Sequence, residues 1–157
     1  MNQLLKLLLL FTLIVGLISC DNNRIFEDNT PIENNTWKVN KPVVYTVEIE
    51  DTLTPCNFYL NVRHGDAYDF SNLFIFLKTQ FPNGKMAKDT VELLLQTPEG
   101  KWTGKGLGDI CDNQIMFKKG LRFPLKGKYT FSIEQAMRMA ELPHVMEIGM
   151  RIEKSKK

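Results

Sequence analysis

Histidine is nearly absent from this 157-residue chain. The two present, His64 and His144, stand in no metal-ligand spacing such as H-E-x-x-H. No G-x-S-x-G nucleophile elbow occurs either. His64 falls in the polar run Arg63-His64-Gly65-Asp66, which predicts an exposed loop residue. An excess of one charge sign is also missing. Lys and Arg number 20 against 18 Asp and Glu, which gives no electrostatic case for nucleic acid. Asp66, Asp69, Asp109 and Asp112 occupy loop-like segments but match no calcium loop, so neither metal nor cofactor is expected. The glycine-rich run Gly100–Asp109, GKWTGKGLGD, is not a phosphate loop: Lys105 is followed by Gly106 and no helical pattern follows. It predicts a glycine-bent strand edge or wide loop around Trp102. Trp102 and Tyr68 are the candidate partner or ligand surface, since an exposed ring beside glycines could stack on a sugar.

Long apolar runs are lacking too, with one exception at the N-terminus. Leu7–Leu17 follows the positive Lys6 and leads to Leu17-Ile18-Ser19-Cys20, and a polar run begins at Asp21. A membrane-spanning helix needs about 20 apolar residues, roughly twice what is here. The parts are those of a secretory signal, and a cysteine directly after Ser19 marks a lipoprotein signal. The reading is therefore a signal peptide over 1–19 and lipid on Cys20, carried as an N-acyl group and an S-diacylglycerol. Two or three chains on one residue hold where a single chain binds only reversibly. Removal of 1–19 takes away Lys6 and no acid, so the formal charge falls from +2 to +1.

Residues 20–41 are rich in Asn and irregular, and predict a tether. Trp37 is the exception, since a spacer has no use for an indole, and it is expected to dock on the core, with an exposed anchor for a partner as the alternative. From Pro42 the period is two: Val43, Tyr45, Val47 and Ile49, then Phe58, Leu60 and Val62, and so on to Ile152. Leu73–Leu77 is apolar throughout, as for a strand buried on both faces. Seven or eight short strands separated by turn signals predict a single all-β domain over 42–153, an antiparallel β-sandwich or jelly roll. One short helix is expected over Glu134–Glu141, plugging one end, and a basic tail over 154–157. Lys126-Gly127-Lys128-Tyr129 suggests a tyrosine corner.

Three cysteines leave Cys56 and Cys111 once Cys20 takes lipid. In an oxidising compartment that pair is a candidate disulfide, with two unpaired buried thiols as the alternative.

One family carries much of this pattern in order. The residues are Cys20-Asp21 with Arg24-Ile25-Phe26, Trp37, Asn72-Leu73-Phe74 and Phe81-Pro82-Asn83-Gly84-Lys85 with Asp89-Thr90. They continue through Gly100-Lys101-Trp102 with Gly104, Gly106, Gly108 and Asp109, then Phe123-Pro124 and Gly127-Lys128-Tyr129-Thr130. Ser132-Ile133, Gln135-Ala136-Met137-Arg138 and Gly149 with Arg151-Ile152-Glu153 complete the set. The chain thus resembles the GldH-type gliding-motility lipoproteins of the Bacteroidota. The resemblance implies a lipid-anchored envelope protein, outer-membrane, that supports the gliding machinery associated with type IX secretion. It implies no enzymatic reaction, and other envelope or motility lipoproteins as partners besides the membrane. Cys56 and Cys111 lie outside the family pattern. The alternative is a carbohydrate-binding surface lipoprotein.

Overall fold

The computed structural model describes residues 21–155, so the expected signal peptide over 1–19, Cys20 and the last two lysines lie outside the described residues. The chain is an all-β sandwich. One sheet has the order β1-β11-β4-β8-β7, and the other β3-β9-β5-β6. The strands of the first are β1 (Arg24–Pro31), β4 (Cys56–Gly65), β7 (Lys105–Leu107), β8 (Ile110–Leu121) and β11 (Val145–Lys154). Those of the second are β3 (Val43–Ile49), β5 (Asn72–Gln80), β6 (Met86–Leu94) and β9 (Gly127–Gln135). All pairings are antiparallel. Apart from the β5–β6 and β7–β8 hairpins, successive long strands cross from one sheet to the other, which is jelly-roll wrapping. A two-stranded ribbon, β2 (Thr36–Lys38) with β10 (Glu141–Pro143), closes one end.

The period-two pattern decides which face is buried. Val43, Tyr45, Val47 and Ile49 point inward, and the residues between them outward. Phe58, Leu60, Val62, Ile148, Met150 and Ile152 meet them from the five-stranded sheet. Each such side chain contributes about 1.5–3 kcal/mol when fully buried. Leu73, Ile75 and Leu77 also point inward, but Phe74 and Phe76 are half-buried on the outer face. There Lys88 covers the Phe76 ring at 3.6 Å. The strand is therefore shielded on both faces, one by the core and the other by side chains. Tyr129 forms the expected corner: its hydroxyl donates to the Leu125 carbonyl at 2.8 Å and accepts from the Leu125 amide at 3.1 Å.

Three expectations are corrected. The tether is largely a strand. Residues 24–31 pair along β11, and Trp37 is fully buried with its indole N–H donating to the Lys41 carbonyl at 2.9 Å. The folded unit therefore starts at Arg24, and only Asp21–Asn23 separates it from Cys20. The helix over Glu134–Glu141 is absent. Glu134 and Gln135 finish β9, and the buried Gln135 amide ties off the following bend, donating to the Met139 carbonyl at 2.7 Å and accepting from the Met137 amide at 2.9 Å. A two-turn helix would have been marginal by itself, and this side chain outbids it. The β2–β10 ribbon, with Trp37 opposite Leu142, supplies the plug instead. Finally, Cys56 and Cys111 are free and buried. Cys111, on β8, pairs with His64, eight residues along β4 from Cys56, so the two thiols sit at opposite ends of the β4–β8 pair, roughly 26 Å apart. A disulfide requires Cα atoms within about 7 Å.

Candidate functional site

The outer face of the five-stranded sheet carries three cross-strand rows. The first is Glu27–Arg151–Tyr59–Met116, the second Asn29–Gly149–Asn61–Gln114, and the third Pro31–Glu147–Arg63–Asp112. Lys105 of β7 extends the third beyond Asp112. Antiparallel register makes such opposed residues touch, so side chains far apart in sequence bond in lines.

Arg151 organises the first row. It donates to Glu27 at 2.6 Å and Glu153 at 2.7 Å, and also to Asp21. Burial works against its charge, but the bonds to Asp21, Glu153 and Glu27 outweigh that and raise its pKa. Glu153 also accepts from the Tyr59 hydroxyl at 2.7 Å, which is the main reason its carboxyl titrates lower than usual. In the amide row, Asn61 donates to Glu27 and Asn29, while Gln114 donates to Glu27 and Asn61. Arg63 holds the third row, bonding Asp112 at 2.6 Å and Glu147 at 2.8 Å. The Arg63 pairs are the more exposed ones, and such pairs are each worth about 0–1 kcal/mol, so that row gains a fixed arrangement more than stability.

Beside this face runs a groove with a volume of 780 Å³. Its floor includes Asn61, Arg63 and Gln114, and its far wall Leu94, Thr103 and Gly104. Glycine at 104 is dictated by space, since a Cβ there would lie 2.7 Å from the Asp112 carbonyl and 2.8 Å from Asn113 Nδ2. β7 ends after three residues, so beyond Asp112 the long β8 presents an open backbone edge to the groove.

The aromatic residues singled out from sequence lie behind this face. Tyr68 is buried, with its hydroxyl donating to the Asn72 carbonyl at 3.1 Å, and burial pushes its phenol well up. Trp102 is half-buried and meets the His64 ring nearly edge-on at 4.6 Å. The two aromatics are thus close, with centroids 6.5 Å apart, but they form no flat solvent-facing platform. His64 is not in an exposed loop either; it is fully buried in β4. Its Nδ1 lies 2.8 Å from the Gly65 carbonyl, which can only accept, so Nδ1 carries the proton and Nε2 is a bare acceptor. That Nε2 and the Asn113 amide nitrogen are buried without partners among the described residues. Desolvation lowers the His64 pKa. His144 is exposed at a left-handed backbone position, φ 65°. Among the described residues no cluster of three His, Cys, Asp or Glu side chains is placed to hold a metal ion.

Sequence reading missed the polar rows. Tyr59, Asn61 and Arg63 alternate visibly with the core residues of β4, but nothing local says that β1, β11 and β8 bring them matching partners.

Fold and surface define a class: an antiparallel jelly-roll sandwich with one polar, cross-bonded sheet face and no helix long and apolar enough to cross a membrane among the described residues. Residues 24–152 match the family model described as GldH lipoprotein, from the first residue of β1 to near the end of β11. The chain belongs to the GldH lipoprotein family. It is 33% identical over 153 residues to the gliding motility lipoprotein GldH homolog of Christiangramia forsetii, covering 93% of each chain. It is 30% identical over 144 residues to the gliding motility lipoprotein GldH of Flavobacterium johnsoniae, covering 87% of this chain and 89% of that one. Among solved structures, the Yersinia pseudotuberculosis-derived mitogen aligns with a TM-score of 0.33 at 6% identity, over 84% of this chain and 88% of that chain. A structure of infectious bursal disease virus aligns with a TM-score of 0.28 at 8% identity, over 83% of this chain and 29% of that one.

Proposed function

We propose that this chain is a non-catalytic assembly component of the gliding motility machinery associated with type IX secretion. It is held in the cell envelope, at the outer membrane, by lipid on Cys20, and it docks other envelope or motility lipoproteins through its polar sheet face. The observation that carries this reading is the lattice itself. Glu27, Glu147, Asp112 and Glu153 are all bound by Arg151 or Arg63, in a preordered pattern suited to recognition. The names of both relatives place them in gliding motility. Recognition by fixed charge rows needs no nucleophile and no acid–base pair.

The test is affinity purification of the tagged lipoprotein from its own envelope. Other motility lipoproteins should co-purify, and Arg63→Glu should remove them while leaving the protein folded and membrane-bound. Undiminished co-purification with Arg63→Glu would refute the polar face as the docking surface. The carbohydrate-binding reading has less support, since Tyr68 is buried and Trp102 is half-buried beside His64. Binding on a glycan array that is abolished by Trp102→Ala would restore it.

A further inference from the structure

The two ends of the sandwich differ in charge, and the charged end is the one from which the chain leads to Cys20. Antiparallel pairing of β1 with β11 brings the Lys154 amide to the Asn23 carbonyl at 2.8 Å. The chain's two ends therefore meet at one pole. The start of β4 is there as well, since Lys154 pairs with Cys56 and Cys56 with Leu121. So are the loops 50–55 and 122–126, and the turn at Pro82, whose Cβ lies 3.1 Å from where a Cβ on Gly127 would be.

This pole exposes Arg24, Lys85, Lys119, Arg122, Lys126 and Lys154. The acids of the same termini and loops are fewer, Asp21, Glu50 and Asp51. Asp21 is bonded to Arg151. Asp51 accepts from the Leu53 amide at 2.8 Å, the Thr54 amide at 3.1 Å and the Thr54 hydroxyl at 2.6 Å. Those bonds shape a tight loop that leaves Leu53 81% exposed, and Arg122 fixes the loop by donating to the Leu53 carbonyl at 2.8 Å. Leu121, 45% exposed, lies beside it. The sequence continues past this pole with Lys156 and Lys157. The opposite pole, with the hairpin tip at Leu107 and the β2–β10 ribbon, sets Glu33, Asp66, Asp69, Glu99, Asp109 and Glu141 against Lys38, Lys41, Lys101, Lys105 and Arg138 and has no such excess.

We propose that this pole is a second membrane contact: its cations bind anionic phospholipid headgroups of the leaflet that holds the Cys20 lipid, and Leu53 enters the headgroup layer. The proposal rests on the lipid anchor at Cys20 and goes beyond it. Three residues of linker, Asp21–Asn23, hold the pole within about 15 Å of the anchor, so the basic patch lies inside the surface field of the bilayer. A lipid anchor alone leaves the domain free to tumble, and a basic patch beside it fixes one orientation. The sheets then stand upright on the membrane. β4, 10 residues long, rises roughly 33 Å, and the Arg63 row lies at its upper end, away from lipid and open to partners.

The experiment uses the mature lipidated protein in vesicles. Leu53→Cys takes an environment-sensitive nitrobenzoxadiazole label, with the buried Cys56 and Cys111 left unmodified, and Leu107→Cys at the far pole gives the control. In phosphatidylcholine vesicles containing about 30% phosphatidylglycerol the Leu53 label should brighten about threefold over pure phosphatidylcholine, and about 0.5 M salt should reverse this. Lys119→Glu with Lys126→Glu and Lys154→Glu should abolish the gain; because these side chains are exposed and Arg122 stays in place to hold the Leu53 loop, the fold should persist, and the milder Gln series should give an intermediate loss. A Leu53 label indifferent to headgroup charge on a lipidated chain, or a Leu107 label that responds equally, would overturn the proposal alone. Absence of diacylglycerol mass on Cys20 would overturn the anchor and this contact with it.

Discussion

Gly149 shows how one residue can set the polar face. It lies in the middle of β11, opposite Asn29 and Asn61, where any other side chain would join the outer row. A Cβ there would strike the Asn29 carboxamide oxygen and lie 2.7 Å from the Asp28 carbonyl. The missing side chain lets Asn29 fold inward and meet Asn61 at 3.0 Å. Gly149→Ala should therefore cost about 1–3 kcal/mol in urea unfolding, because backbone as well as side chain must move. His64 makes the second residue-scale prediction. Burial lowers its folded pKa, so below the unfolded value of about 6.5 the unfolded chain takes up a proton more readily than the folded one. Stability is full above that pH and falls as pH drops through it. The pH-dependent slope between about 7 and 5.5 should flatten in His64→Leu, as followed by chemical denaturation. An unchanged slope would mean that His64 takes up its proton equally in both states.

At the scale of elements, β1 and β2 matter most, because the sequence disguises them. Arg24–Pro31 contains Glu, Asp, Asn and Pro, residues poor in strand propensity, and Asn34 and Asn35 adopt left-handed turns. Its stability is borrowed from β11, about 120 residues later, by pairing from Glu153 to Glu147. Phe26 packs on Tyr45 with centroids 5.5 Å apart, and the Tyr45 hydroxyl donates to the Ile148 carbonyl across the core. A chain starting at residue 42 would lose this strand and Trp37. Loss of the buried indole alone costs about 3–5 kcal/mol, comparable with the whole stability of many domains. That truncation should show collapsed amide dispersion and rapid proteolysis, whereas a chain starting at Asp21 should not. The β8–β9 side was legible by comparison. Alternation gave the strands, and Gly127-Lys128-Tyr129 gave the corner, because both depend on neighbours in sequence. The helix expected over Glu134–Glu141 failed because a single buried amide, Gln135, satisfied the local backbone more fully than a lone helical turn could.

For the molecule as a whole, address and orientation are separate properties. Cys20→Ser should release the protein from the carbonate-washed membrane fraction, or leave it uncleaved, without unfolding the domain; retention of the cleaved protein after the wash would sink the lipid anchor. The basic pole would then give at most salt-reversible binding, because each exposed cation near a charged bilayer adds only about 1 kcal/mol. The short linker also narrows the reach of the protein. With strand pairing beginning at Arg24, three residues, not a tether of some 20, separate the domain from Cys20.

The sequence by itself determined what the order of residues along the chain carries: the period-two strands, the docking of Trp37 and the family. Tertiary structure alone decided what depends on register between distant strands. It placed Cys56 and Cys111 at opposite ends of the β4–β8 pair, buried Tyr68 and packed the half-buried Trp102 beside His64, and lined up Glu27, Asn61, Arg151 and Gln114 into one lattice. The reason is physical. A strand's alternation fixes which of its residues face the core, whereas the identity of its neighbours is fixed only when both sheets close around that core.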